Sequence, residues 1–582
     1  MTMSEKEKRS FCKALFQGKI EENLLFPFPN LAGEELENLN IVLDSVNKFC
    51  RDKVRAEVID KEKKIPEEVM QGLAELGLWG MVIPEEYEGF ALSQRAYCKV
   101  IEELSKFSAS VAVTVGGHQS IGFKGLLLFG TEEQKRKYLP KLATGQMIAA
   151  FCLTEPGAGS DAQGLKTTAV REGDHYILNG SKQWVTNGGM ADFFTVFAQT
   201  EVDVKGEKKK RVSAFLVTKE MGGITIGPEE KKLGIRGSST TPVILENVKV
   251  PAENLLGEEG KGFKVAMEVL NSGRLGLASG CVGAARTMIE VSVAHAKERE
   301  QFGKTIAEFE MIQEKISRMV VNTYAMESAT YMTAGLVDRG DVDYSLESAI
   351  SKVFSTDRLW EVINDALQIM GGNGYMEEYP HERFLRDARI NMIFEGTNEI
   401  LRLFIALSGL QGPGETLKEV AKAIKDPLRN IGQLADYAVK KITSLAGERL
   451  TLSDALLEDE ARRVEEYARQ LPDTAEKVIR RYRKKIVEKE FALERIADMV
   501  IDLYVMTCVM SRVTSAIHDK GAERAAAEIN ICKTFCNFAW RRIRRNNRMI
   551  DRNDDGILTE IAKSTLEKAT YPVQLYVTTT EG

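Results

Sequence analysis

The segment Phe394-Glu395-Gly396-Thr397-Asn398-Glu399 sets a carboxylate between an aromatic ring and a glycine, directly after the apolar pair Met392-Ile393. Partial removal from water disfavours the charged form of a carboxylate, raises its pKa and makes it a better base. Glu395 is therefore the candidate proton acceptor; the competing reading is an ordinary exposed loop glutamate. A second segment, Cys152-Leu153-Thr154-Glu155-Pro156-Gly157-Ala158-Gly159-Ser160-Asp161, is glycine-rich. Its backbone N–H groups can approach a ligand closely, and the Thr154 and Ser160 hydroxyls can donate or accept. In Lys182-Gln183-Trp184-Val185-Thr186-Asn187-Gly188-Gly189 an aromatic plane lies next to a hydroxyl. That pairing suits a flat heterocycle, although Trp184 also reads as plain core. The fourth segment, Gln368-Ile369-Met370-Gly371-Gly372-Asn373-Gly374-Tyr375, precedes Glu378, Arg383 and Asp387. Glycines inside a helical stretch cost about 1 kcal/mol each relative to alanine, and close approach of a phosphate-bearing ligand would justify them.

Other chemistries fit poorly. No GxGxxG follows a strand pattern and no GxxxxGK[ST] occurs, which disfavours a Rossmann site and a P-loop. His118, His175, His295, His381 and His518 are isolated, so a transition-metal site is not expected. Asp551, Asn553, Asp555 and Gly556 imitate the start of a calcium loop, but Ala562 stands where a bidentate glutamate is needed. The eight cysteines are scattered without a CxxC, which fits a reducing compartment. A formal net charge of −6 argues against a chain-wide nucleic-acid surface. The charged start, with Glu5 and Glu7, reads as no targeting segment and a cytoplasmic protein. No run of about 18 apolar residues is found, so no membrane-spanning helix is expected.

These segments need a scaffold. Residues 1–32 read as an N-terminal extension and 33–150 as a helical domain. Leu36, Leu39, Val42, Val46 and Phe49 recur at spacings of three and four, and Pro66 and Pro84 divide the helices. The run from Ser105 to Phe129 is apolar and rich in small residues. It reads as close helix packing or as room for something long and apolar. Residues 151–255 read as an antiparallel β-domain, with strands at Phe193–Ala198, Val212–Val217 and Pro242–Leu245 and an exposed loop at Val202–Arg211. Helical periodicity returns over 256–412. Gly412-Pro413-Gly414 then punctuates the chain before a charged helical extension over 413–582. The class is α+β, with helices segregated to the ends of the chain's core.

Residues 152–164 resemble the first signature of the acyl-CoA dehydrogenase family. Residues 368–387 resemble the second, with its Gln, Gly, Glu, Arg and Asp spacing intact, and Glu395 lies in the family's Phe/Tyr-Glu-Gly-Thr catalytic segment. The similarity covers about residues 35–410. The extension beyond it, Gly117-His118-Gln119-Ser120-Ile121-Gly122-Phe123-Lys124 and Glu395 to Arg402 resemble the very-long-chain branch.

The resemblance implies an FAD enzyme that converts a long-chain acyl-CoA to the trans-2-enoyl-CoA in fatty acid β-oxidation and passes electrons to an electron-transferring flavoprotein. In the family a carboxylate takes the α-proton and flavin N5 takes the β-hydride. The thioester oxygen is held by the base's own N–H and a ribityl hydroxyl. Carried over residue by residue, Glu395 is the base, with Phe394 and Gly396 beside the substrate. Phe151, Leu153, Thr154, Trp184, Val185 and Thr186 match positions around the flavin. Ser160 matches a position at the flavin phosphate or the CoA arm. Arg299, Gln301, Phe302, Gln368, Gly371 and Gly372 match segments reaching the FAD of a neighbouring subunit, which implies a homodimer. Thr397, Asn398 and Glu399 match positions near the FAD diphosphate and adenosine, and Asn271 and Arg274 match the helix facing the CoA arm. Ala112, Gly116 and Gly117 match the segment lining the acyl tunnel of long-chain relatives, implying chains of about C14 or longer at roughly 0.8 kcal/mol per buried CH₂. Some branches place the base one residue before Arg274; here that residue is Gly273. The alternatives are an acyl-CoA oxidase and a relative with an added assembly role. For the extension, the basic segments Val478–Val487 and Trp540–Arg548 read either as peripheral membrane contact or as a solvated face paired with acids such as Glu488 and Glu490.

Overall fold

The structure is a computed structural model that describes residues 8–425 and 448–573. Expectations for residues 1–7, 426–447 and 574–582 lie outside the described residues.

A short helix, α1 (Phe11–Leu15), comes first. The N-terminal helical layer follows as α2 (Gly33–Lys53), α3 (Ala56–Glu62), α4 (Glu67–Glu75), α5 (Gln94–Phe107), α6 (Ala109–Gly116), α7 (Lys124–Phe129) and α8 (Glu132–Ala143). Leu39 and Val46 of α2 are buried as their spacing requires, while Leu36 stays exposed. Pro66 sits at the N-terminal cap of α4 and Pro84 opens a short 3₁₀ turn, so both mark boundaries. Between α6 and α7, Gly117–Gly122 adopts one π-helical turn. Such turns are uncommon and concentrate at functional sites.

The sheet contains β1 (Ala149–Cys152), β2 (Thr168–Glu172), β3 (His175–Thr186), β4 (Phe193–Val204), β5 (Glu207–Thr218), β6 (Ile224–Ile226), β7 (Thr240–Pro251) and β8 (Leu255–Leu256). The order is β6-β7-β3-β2-β4-β5-β8, with β1 also on β4. The antiparallel expectation needs correction. β1 and β2 both run parallel to β4, so the sheet is mixed. The expected loop at Val202–Arg211 is also strand. β4 and β5 stay paired as far as Val204 and Glu207 and turn through Lys205-Gly206, both at positive φ. Opposite charges face each other across the ladder, Glu201 with Lys210 and Asp203 with Lys208, which stabilises an exposed hairpin.

Four helices form the second helical layer: α9 (Gly262–Glu298), α10 (Glu310–Arg339), α11 (Ser345–Met370) and α12 (His381–Arg389). Then α13 (Asn398–Lys425) runs through Gly412-Pro413-Gly414 without ending. A proline removes one main-chain bond, and the helix is held instead by packing: Gly409, four residues earlier, lies against the Phe16 ring. The C-terminal helices are α14 (Glu458–Tyr482), α15 (Glu490–Lys520), α16 (Ala526–Met549) and α17 (Asp555–Lys568). By length and composition α15 could cross a membrane, contrary to expectation, but 83% of its most apolar stretch is buried inside the fold. Its residues join those of α1, α9, α10, α11, α13 and α14 in one hydrophobic core.

Candidate active site

Glu395 sits in the turn between α12 and α13 with φ +59°, the left-handed region that costs a non-glycine residue energy. Oε2 of its carboxylate is buried, and among the described residues no donor reaches it. Burial pushes its pKa up, against the opposing pull of Arg274 and Lys352. Both cations contact the main chain of the loop and leave the carboxylate free. Arg274 Nε donates to Glu395 O at 3.3 Å, and Lys352 Nζ donates to Gly396 O at 2.8 Å. Burial lowers the Arg274 pKa to about 10 and that of Lys352 to about 8. The arrangement keeps counter-charge nearby without quenching the base in an ion pair.

A cavity of about 1090 Å³, counting its open mouth, leads from Glu395 between α5, α6 and α9. Ala112, Gly116, Gly117 and Phe394 line it together with Thr186, which the resemblance set beside the flavin. One face of α9 contributes Gly273, Gly276, Gly280 and Ala284 at spacings of three and four, so this helical stripe carries nothing larger than a methyl group. A Cβ on Gly280 would come within 2.9 Å of Ser105 Oγ, and one on Gly276 within 3.1 Å of the Tyr97 hydroxyl. This stripe and Tyr97 were missed from sequence; the three- and four-residue glycine spacing in α9 was the available signal.

Beside the cavity, β3 is bulged between Lys182 and Val185. Bulges re-aim side chains. Here Trp184, at φ +55°, is turned out and 60% exposed, while Val185 is buried in the sheet core. Gln183 N donates to Thr154 O at 2.9 Å, which joins the glycine-rich loop to β3. A buried ion pair missed from sequence strengthens the joint. Lys182 Nζ lies 2.8 Å from Glu155 Oε1 and also donates to Phe197 O at 2.7 Å. Phe151 is half-buried against Phe197, and Leu153 is buried. An exposed indole plane beside Thr154, Thr186 and an open glycine-rich loop fits a flavin in shape and polarity. Gly157 and Gly159 have nothing within 4 Å of a notional Cβ, and Ser160 is exposed next to them.

Several assigned residues lie outside the cavity. Arg299, Gln301, Gln368, Gly371 and Gly372 are exposed, and Phe302 is 95% exposed at φ +55°. Thr397 Oγ1 accepts from Ile400 N at 3.3 Å at the start of α13, with Glu399 exposed in its first turn. Four assigned residues are buried. Val185 is core. Asn398 is buried, its side chain bonded to Lys352, Thr356 and Asp357, so that side chain supports the loop from within. Asn271 and Arg274 are likewise buried and bonded to each other at 2.9 Å, and Arg274 holds the Glu395 main chain. The calcium-like loop is excluded by its partners: Asp551 is paired with Lys477 and Arg481, and Asp555 with Arg495.

A long apolar channel that ends at an unpaired, desolvated carboxylate, next to an aromatic shelf, suits an enzyme that takes a proton from a chain-bearing substrate beside a planar cofactor. Family models agree with that description. The acyl-CoA dehydrogenase N-terminal, middle and C-terminal domains match residues 37–146, 150–248 and 260–410, and the ACAD9/ACADV C-terminal domain matches 455–571. The chain is 44% identical to the human mitochondrial very long-chain specific acyl-CoA dehydrogenase, over 92% of this chain and 84% of that protein. It is 39% identical to a probable acyl-CoA dehydrogenase of Bacillus subtilis, over 82% and 80%. Among solved structures, an acyl-CoA dehydrogenase complexed with FAD from Bacillus anthracis superposes with TM-score 0.78 at 34% identity, covering 97% of this chain and 96% of that one. The butyryl-CoA dehydrogenase of Megasphaera elsdenii, at TM-score 0.62 and 37% identity, covers 66% of this chain and all of its own. The chain belongs to the acyl-CoA dehydrogenase family, as an FAD-dependent enzyme acting on acyl-CoA.

Proposed function

We propose that this chain dehydrogenates long straight-chain acyl-CoA, of about C14 or longer at roughly 0.8 kcal/mol per buried CH₂, to the trans-2-enoyl-CoA, and that an electron-transferring flavoprotein accepts the electrons. The observation that carries this reading is the channel with its small-residue α9 stripe, because bulky side chains on that stripe would close it. When bound, FAD supplies the hydride acceptor. Glu395 removes the α-proton, and its burial keeps it a stronger base than a solvated carboxylate. Arg274, braced by Asn271, fixes the main chain of the base. The apolar walls exclude water around the reacting carbons. A series of acyl-CoA substrates from C4 to C20 tests the assignment: kcat/KM should peak at C14 or beyond, and a peak at C4–C8 would remove it.

Exposed Phe302, Gly371 and Gly372 support a homodimer in which each subunit completes its neighbour's FAD site. A monomer that retains full FAD in sedimentation analysis would contradict that. Four of the cations in the C-terminal basic segments are committed to internal contacts. Arg480 pairs with Glu476, Arg481 with Asp551 and Arg542 with Asp502, while Arg463 and Arg544 stack on Trp540; Glu488 and Glu490 are not the partners. Arg483, Lys484 and Lys485 stay exposed beside Val487 and Phe491, and this small patch supports peripheral contact with an anionic bilayer. Flotation with anionic liposomes at low salt should show it; protein left at the bottom of the gradient makes the domain purely structural.

A further inference from the structure

The catalytic turn is connected to the C-terminal domain by an unbroken series of polar contacts. Lys352 on α11 donates to Gly396 O and to Asn398 Oδ1, each at 2.8 Å. Asn398 Nδ2 donates to Asp357 Oδ1 at 2.7 Å. The other oxygen of Asp357 accepts from Arg402 Nη2 at 2.7 Å, and Arg402 Nε donates to Asp498 Oδ1 at 2.7 Å. Asp498 belongs to α15, in the C-terminal domain. Lys352 and Asn398 are buried, so their polar atoms have these partners in place of water. A left-handed Glu395 persists only where its surroundings over-determine it.

We infer that Asp498 is a positioning residue for the base: it fixes Arg402, which through Asp357, Asn398 and Lys352 fixes the Gly396 carbonyl and thereby the Glu395 carboxylate. On this account the extension that distinguishes the chain from shorter relatives takes part in aligning proton abstraction. The inference rests on Glu395 being the base. A natural comparison lies one turn further along α15. Asp502 is buried and bonded to Arg542 of α16 at 2.6 Å; Arg542 also feels the charges of Asp498 and of Glu361 on α11, but the hydrogen-bonded pair itself does not extend to the turn.

The experiment uses the full-length FAD-loaded enzyme and the variants Asp498→Asn, Asp502→Asn, Lys352→Met and the double variant of Asp498 and Lys352. Misplacing a reacting group by about 1 Å costs up to roughly 100-fold. Asp498→Asn should therefore lower kcat by about ten- to a hundred-fold at unchanged KM and FAD content. It should also raise the isotope effect on kcat with α-deuterated substrate, because proton abstraction becomes slower. Asp502→Asn should lower the melting temperature alone. The double variant should lose no more kcat than Lys352→Met, since both break one relay. Wild-type kcat and isotope effect in Asp498→Asn overturn the inference, as do equal kcat losses in the two aspartate variants or additive losses in the double variant. If Asp498→Asn yields no holoenzyme, Arg402→Lys, which keeps the charge but not the two-sided fork, is read the same way: a raised isotope effect supports the relay and an unchanged one ends it. Glu395→Gln with normal turnover would instead refute the base assignment, whatever the relay variants do.

Discussion

Glu395 is suited to act as the base because of where its charge is left, close to two cations that bond the main chain of its loop and neither of which bonds its carboxylate. Replacing it by glutamine keeps the shape and removes the proton acceptor. Glu395→Gln should retain FAD and acyl-CoA binding and lose turnover by about 10³-fold or more, read as flavin bleaching by a long-chain acyl-CoA. Burial raises its pKa, so the charged, active form is lost as pH falls through a value above the usual carboxylate range of about 4.3. The acid limb of kcat/KM should lie correspondingly high; a limb at the ordinary carboxylate value would show a solvated base. Gly273 shows how little room exists here. A Cβ there would stand 3.0 Å from Glu395 Oε2 and 2.8 Å from Ile121 Cγ2. Gly273→Ala should cut kcat by roughly ten-fold or more and also lower the melting temperature, because the added methyl presses first on Ile121 and then on Glu395 itself.

At the level of elements, the π-helical turn Gly117–Gly122 fits two neighbours at once. Its His118 donates through Nε2 to Trp79 O and Leu142 O, at 3.2 and 3.1 Å, and its Nδ1 accepts from Ala149 N at 2.9 Å. That fixes the neutral ring, and burial lowers its pKa to about 4. The unfolded ring titrates near 6.5, so the unfolded state takes up the proton first. Stability is complete above that value and is lost as pH falls from about 6.5 to 4, by about 3 kcal/mol in all. His118→Asn should flatten the melting-temperature profile over that window. The two glycines that open the turn differ in a testable way. A Cβ on Gly116 meets only the Tyr97 hydroxyl, at 3.8 Å, so Gly116→Gln should fit, fill the channel and move the preferred acyl chain several carbons shorter. A Cβ on Gly117 meets Thr186 at 3.0 Å, so Gly117→Ala should instead press on the Trp184 shelf and weaken FAD retention. An unchanged chain-length profile in the first variant would mean that the channel is not the acyl site. The small-residue run and the four motifs were legible in sequence because glycines cluster there, several of them with open space where a Cβ would lie. The β3 bulge was not, since a bulge depends on register with β7, and the glycine spacing of α9, visible in sequence, acquires meaning only from what lies opposite. Lys352, Asp357 and Arg402 carry ordinary helix-surface residue types, and only the fold turns them inward.

Across the whole molecule, the segment read as an N-terminal extension is a keystone. Phe11, Cys12, Leu15 and Phe16 have no solvent exposure and share one core with α9, α10, α11, α13, α14 and α15. Buried Glu347 of α11 accepts from Ser10 Oγ at 2.8 Å and from Cys12 N at 2.9 Å, and Phe28 N donates to Ser515 Oγ of α15 at 3.1 Å. Glu22 accepts from Thr451 N at 2.7 Å, so the same segment also holds the approach to α14. Hydrophobic periodicity could not reveal this in a stretch too short to show a repeat, broken by Pro27 and Pro29. A core continuous through the dehydrogenase and its C-terminal domain implies one cooperative unit. Thermal unfolding followed by flavin fluorescence, which reports the active site, and by far-ultraviolet circular dichroism, which reports all helices, should give coincident transitions. Phe16 packs directly on Gly409 of α13, where an added Cβ would lie 2.0 Å from its ring. Phe16→Ala leaves a cavity at that junction and should cost about 3–5 kcal/mol, moving both transitions down together. Two resolved transitions in the wild-type enzyme, or a Phe16→Ala effect confined to one probe, would mean that the domains fold separately and that the N-terminal segment merely covers a seam between them.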